Sequence, residues 1–403
     1  MNYITIIFVL LLLLGTSDLI TEKYPKLQAD IYNCAFFVTV FLFLIKYYFG
    51  PDIVHYVPHY YGMTSVSEVL LMNYSNNFEW GYNLFCSILN SMNVSFYWMT
   101  VLVDLIYFYV IYLLFNQIKN KRTFALMVLV LFEYNLIFFE YRQCLSVSFF
   151  LLMTICMQRE NKVGIIICAL LSIICHKAGI FVVGLTLFFF LIHGKKIRPL
   201  VYQILFWVLV LMMLLPITKI SVFFLHLLPL PESYLISLEH HLSLGRQFQL
   251  IFFIYALTIL CIEYYISCQK NNINTFAIVS IVAICIIISL YQYYYLLNRI
   301  RSYFLPILIV YIFNLIQNNS TIRYGTLIRQ SLCIVVIIFF LHQINLIENG
   351  MSKMKNKEIN TPCTIFNLIN HDKNQIQNRQ LQIADRWWVE DYLEDENNVI
   401  KKK

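Results

Sequence analysis

Apolar positions along this chain come in blocks of about 15 to 20 residues that carry almost no charge, divided by short polar turns. The blocks fall at approximately 3–20, 31–49, 95–115, 124–140, 143–157, 163–177, 178–193, 200–217, 248–266, 275–296, 303–317 and 328–346. Each is close to the length that crosses a hydrocarbon core of ~30 Å. In lipid a backbone must satisfy its own hydrogen bonds, so each block is predicted to be a helix. The pattern predicts an all-α polytopic membrane protein with about 12 transmembrane helices. Residues 1–347 are expected to form the membrane domain, and 348–403 a polar, loosely ordered tail. Within that tail Trp387 and Trp388 are candidate interfacial anchors. Residues 4–14 resemble a signal-peptide core, but no Lys or Arg precedes them and no clear small-x-small site follows, so they are read as a retained first helix.

Composition strengthens this reading. Hydrophobic residues make up 60% and charged ones 13% of the 403 residues, with mean hydropathy +0.69. Soluble globular chains carry about 25% charged residues, so that class is excluded. The eleven cysteines show no CxxC spacing, and all but Cys86 and Cys363 lie within or beside apolar blocks, as helix-packing residues do. No internal repeat marks a secondary transporter. No phosphate-cradling glycine motif is present, and no nucleic-acid partner is expected. His55 and His59 have the i, i+4 spacing of paired ligands but lack a third, so no metal or other cofactor is called for.

Charge then orients the chain. With the first turn on the cytoplasmic side, alternate turns there hold thirteen Lys and Arg, against six on the opposite side. The N-terminus and tail are therefore placed outside. Two outside segments are long, about 50–94 and 218–247. The six outside cations are Arg142, Lys177, Lys219, Arg246, Arg299 and Arg301, and the insertion rule does not account for them. Three short turns consist of little else: Glu140-Tyr141-Arg142-Gln143, Cys175-His176-Lys177 and Asn298-Arg299-Ile300-Arg301.

Charges at the membrane edge usually face a watery cavity, although each could instead anchor to lipid headgroups. Three turns together favour a shared outward-facing cavity for an anion. A guanidinium stays charged and offers a planar fork, which suits a lipid-linked phosphate or diphosphate. Asp52, Glu79 and Glu140 are carboxylates that could act as a base, and His176 could move protons or donate to an oxyanion. Asp104 and Glu133, inside two blocks, either pair with cations of that cavity or join a buried network. Tyr291, Tyr293, Tyr294 and Tyr295 precede Arg299 as an aromatic belt, or as a platform for stacking sugars.

Four elements together resemble the EpsG-type members of the bacterial Wzy-like polysaccharide polymerases. They are Gly50-Pro51-Asp52 with Tyr56; Glu79-Trp80-Gly81-Tyr82; Tyr141-Arg142-Gln143 followed by His176-Lys177; and Arg299-Ile300 with Ser302-Tyr303-Phe304. They stand in the family's order over residues 50–305. The chain departs from the pattern at Ala178-Gly179, where a serine is usual, and in the additional cation Arg301.

The resemblance implies an inverting, metal-independent glycosyltransferase. Such an enzyme polymerises undecaprenyl diphosphate-linked oligosaccharides at the periplasmic face of the bacterial inner membrane, as for O-antigen, sometimes with a chain-length regulator. Arg142 and Arg299 would hold the departing diphosphate, and Glu79 or Asp52 would be the base. His176 would orient or handle the proton. Gln143, Lys177, Arg246, Arg301, Tyr82, Tyr303 and Tyr295 would line the substrate path. The rival readings are an O-antigen ligase and a lipid-linked oligosaccharide flippase or exporter.

Overall fold

A computed structural model of the chain describes residues 3–20, 24–48, 52–63, 65–71, 78–119, 121–192, 279, 283, 294–318 and 377–382. Among the described residues every element is helical. In chain order they are α1 (Tyr3–Ile20), α2 (Pro25–Leu44), α3 (Ile53–Tyr61), α4 (Val66–Leu70), α5 (Trp80–Ser91), α6 (Phe96–Phe115), α7 (Arg122–Phe139), α8 (Tyr141–Gln158), α9 (Lys162–Cys175), α10 (Ala178–Ile192) and α11 (Tyr294–Asn318). A further helical segment spans 377–382. By length and composition, α2 and α6 can each cross a membrane, at 20 residues apiece, and shorter apolar helices lie at Val9–Asp18, Lys162–Cys175 and Ala178–Leu191.

Local chemistry sets several boundaries. Pro25 opens α2, where its missing N–H costs nothing. Ser65 and Glu68 form a reciprocal capping box on α4. The Asn161 side-chain oxygen accepts from the Gly164 N–H at 3.0 Å and starts α9. Between α7 and α8 the chain needs only Glu140, which ends one helix and begins the other.

Consecutive long helices run antiparallel, as their contacts show. Tyr32 stacks near Tyr112 while Tyr47 meets Tyr97, and Asp18 reaches Thr123. One end of the bundle therefore collects Lys46, Glu79, Glu140, Arg142, His176 and Arg299, and the other collects Asp18, Gln28 and Arg122. At the second end, the Asp18 carboxylate accepts from the N–H groups of Thr123 at 2.8 Å and Phe124 at 3.0 Å. It thereby caps α7 from a different helix, a contact of about 1 kcal/mol. Segment 377–382 returns to the first end, where Gln377 Nε2 donates to the Tyr47 hydroxyl at 2.8 Å and Leu381 packs on the core.

The structure redraws three expectations. The segment 50–94, expected only as an outside loop, contains α3, α4 and α5. The second block begins earlier, at Pro25, and its helix ends at Leu44, short of Lys46. The turn expected at Asn298–Arg301 does not exist: α11 runs through it unbroken, so Arg299 and Arg301 stand on a helix. Arginine is a good helix former, and in that segment neither glycine nor a helix-ending cap interrupts the run. Blocks 200–217, 248–266 and 328–346, loop 218–247 and most of the tail lie outside the described residues.

Candidate functional site

The site is assembled on the element Glu79-Trp80-Gly81-Tyr82. Glu79, in extended conformation, immediately precedes α5. Trp80 ties that start to α4 by donating Nε1–H to the Val69 carbonyl at 3.0 Å. Gly81 lies against the end of α9: a Cβ there would stand 2.6 Å from Ile174 Cγ1 and 2.9 Å from the Ile174 carbonyl group. Only glycine permits this approach, which suspends Glu79 over the α9–α10 turn. Tyr82 is fully buried, so it forms a wall of the site rather than a lining residue.

Arg142, the second residue of α8, meets Glu79 there. Its Nη1 donates to Glu79 Oε2 at 2.7 Å and its Nε donates to the Tyr56 hydroxyl at 3.3 Å. The guanidinium carbon lies 4.2 Å from the centre of the Phe78 ring, a cation–π arrangement. Its side chain is still 23% exposed, so it can reach a ligand. The other Glu79 oxygen, Oε1, accepts from the Lys177 N–H at 3.3 Å. One carboxylate thus joins the starts of α5 and α8 to the turn between α9 and α10.

The α9–α10 turn consists of His176 and Lys177 and stands clear of both helices. His176 is buried, with an extended backbone, and its Nδ1 lies 3.3 Å from the Tyr303 hydroxyl on α11. Tyr303 is fully buried and donates to Ser146 Oγ at 2.8 Å. It therefore serves the interior rather than a substrate path. Gln143 is likewise buried, and its Nε2 donates to the Arg299 carbonyl at 2.7 Å, fixing the half-buried Arg299 on α11 against α8. Arg301 donates to the Phe132 carbonyl at 2.7 Å, with its Nε 3.8 Å from Glu133 Oε1. It faces α7, and the charges of both Arg299 and Arg301 are felt at Glu140. Asp52, half-buried before α3, is felt electrostatically at Tyr56 and Glu140.

Tyr295 falls in the first turn of α11, but its side chain, like all of Arg246, lies outside the described residues. Ser146 and Ser172 bond to each other, and Ser146 also to Tyr303; two serines within apolar helices are their only signal in the sequence. His59 packs edge-on against Phe78 at 4.1 Å between centroids. Among the described residues no group of three His, Cys, Asp or Glu side chains is placed to hold a metal.

Electrostatics divides the titratable groups. Burial alone would raise the Glu79 pKa, but Arg142 and then His176 outweigh it and hold the carboxyl below its ordinary value. Burial lowers His176 to about 4; Glu79 opposes this, while Arg142, Arg299 and Lys177 reinforce it. At neutral pH the site therefore presents a carboxylate committed to a cation, a neutral imidazole and a partly open guanidinium. Such a set can hold an anion and accept a proton.

A family model described as the EpsG family matches residues 31–356 of the chain. No curated protein and no solved structure matches it.

Proposed function

Because the chain belongs to the EpsG family, we propose that it polymerises undecaprenyl diphosphate-linked oligosaccharides at the periplasmic face of the inner membrane. The observation that carries this reading is the meeting of Arg142, Glu79 and the His176-Lys177 turn, drawn from four helices, at one end of an apolar bundle.

The acceptor sugar hydroxyl attacks the anomeric carbon of the lipid-linked chain. Its C–O bond forms as the bond to the diphosphate breaks, with inversion. Arg142, through the donors that Glu79 and Tyr56 leave open, together with Arg299 and Lys177, stabilises the departing diphosphate. Glu79 holds Arg142 in place, and that ion pair keeps its carboxylate committed to the cation. The hydroxyl proton goes to neutral His176, with Asp52 as the alternative carboxylate.

The ends of the helices support a count of about twelve crossings. α10 leaves the site end and α11 starts at it, so an odd number of crossings joins them. Another odd number joins α11 to segment 377–382, which lies at the site end. The sequence offers three apolar blocks for the first interval, at 200–217, 248–266 and 275–296, and one for the second, at 328–346. That arrangement puts the site, the start of α1 and segment 377–382 on one side, which the distribution of basic residues assigns to the outside.

The test is the product on the cell surface. Arg142→Ala and Arg299→Ala should each leave single-repeat glycolipid while long chains vanish, a loss of about 100-fold or more. Arg142→Lys should restore little, since an ammonium lacks the planar fork. Normal chain length in both alanine variants would overturn the reading. Loss of even the single-repeat product would indicate a flippase, and loss of transfer to lipid A core alone a ligase.

A further inference from the structure

The end of α9 leaves a backbone carbonyl that determines where a proton sits four residues away. Because His176 is extended, α9 stops at Cys175 and the Ser172 carbonyl becomes one of the terminal acceptors without an intrahelical donor. Ser146 on α8 satisfies it, donating Oγ–H to Ser172 O at 2.7 Å. A hydroxyl has one proton, so Ser146 Oγ can then only accept. Its neighbour Tyr303 donates to it at 2.8 Å. The Tyr303 proton is spent as well, and its oxygen can only accept from the ring nitrogen 3.3 Å away, which is Nδ1 of His176. Gly179 lets this packing close: a Cβ there would fall 2.6 Å from Ser172 O and 3.0 Å from Ser146 Oγ.

We propose that Ser146 and Tyr303 are positioning residues that hold His176 as the Nδ1–H tautomer, leaving Nε2 as the proton-accepting atom of the site. The assignment rests on the polymerase reading only for what Nε2 accepts from; the tautomer itself follows from the hydrogen-bond order. Ser172 contributes its carbonyl, while its own hydroxyl donates to Ser146 O at 2.9 Å and stands outside the proton order.

The experiment is ring-nitrogen NMR on the full chain in lipid nanodiscs, labelled with 15N-histidine, with His176 assigned by the signal lost in His176→Gln. The wild type should show a protonated Nδ1 and a bare Nε2 at pH 7. Ser146→Ala frees the Tyr303 proton to turn toward Nδ1 and should reverse the tautomer. Tyr303→Phe should release the ring to the Nε2–H form that free imidazole prefers. Ser172→Ala should keep the wild-type signals. In the polymerisation assay, both tautomer-shifting variants should lose about 100-fold, the lower end of what a positioned acid–base group contributes. A wild-type spectrum with Nε2 protonated overturns the proposal by itself, whether or not any variant folds. A spectrum as expected, combined with variants that shift it but polymerise normally, overturns the catalytic role of Nε2 and leaves the tautomer assignment standing.

Discussion

Two ion pairs lie at the same end of the bundle, and they differ in what they leave available. Lys46 and Asp104 are each about 2% exposed or less. Lys46 Nζ donates to Asp104 Oδ1 at 3.0 Å and to the Ile137 carbonyl, and lies 2.9 Å from Asp104 Oδ2. The rings of Phe138 and Tyr141 close over it. Arg142 and Glu79 are partly open, and only two of the five guanidinium donors are engaged by partners described here. The first pair is sealed from solvent and ties the end of α2 to α6 and the end of α7. The second has directional donors to spare, and a ligand needs those.

The largest effect should come from breaking the closed pair. Lys46→Met alone leaves Asp104 charged and buried, and should cost about 3–5 kcal/mol, read as lost accumulation and a lower melting temperature in detergent. The double variant Lys46→Met with Asp104→Leu should recover most of it. By contrast, Arg142→Ala should cost about 1 kcal/mol of stability or less, as part-exposed pairs do, while abolishing long chains. Equal stability losses at both pairs would erase the distinction.

Next comes the scaffold of the open pair. Gly81→Ala drives a methyl into the Ile174 backbone and should cost about 1–3 kcal/mol, with a loss of polymer larger than that of a helix-surface alanine elsewhere. An intermediate effect is expected from pH. Between pH 6.5 and 4 the unfolded chain protonates a histidine that folded His176 resists, so thermal stability falls as pH drops through that window. Glu79, also held below its ordinary value, adds a loss of the same sign below about 4.5. His176→Gln should reduce the upper part of the slope without abolishing it, because burial lowers His59 to about 4 as well, and should leave the lower part. The smallest effect is expected at the tail. Leu381→Ala should cost about 1 kcal/mol and speed proteolysis near 377–382, with the melting temperature otherwise held.

The helical class and the convergence of separate turns were legible in the sequence, because apolar block length and misplaced cations are both visible one residue at a time. His176–Lys177 is a turn in the structure, whereas of Glu140–Gln143 only Glu140 lies between helices and the rest open α8; Glu79 joins Arg142 to the His176–Lys177 turn. Asp104 joins Lys46 in a buried network, the second of the two roles expected for it, and Glu133 lies beside Arg301. What the sequence could not show was who satisfies whom. Arg142 and Glu79 read as independent groups until their 2.7 Å contact made each the other's partner. Charge density makes Arg299 and Arg301 read as a turn, whereas helix propensity and the Gln143 bond to the Arg299 carbonyl carry α11 through. Tyr82, Tyr303 and Gln143 read as lining residues because nothing in a single sequence separates a polar group that faces a cavity from one that supports it.

The brevity of α9 has a consequence for the lipid itself. Its 14 residues rise only about 21 Å, against a hydrocarbon core of ~30 Å. Val163, Ile166, Ile167 and Leu170 form an exposed greasy stripe along it, at the spacing of one helix face. Acyl chains beside that stripe must shorten, or the His176 turn must sit below the headgroup plane. In both cases the polar turn and the arginines beside it lie close to the level where the acyl chains end, rather than out in bulk water.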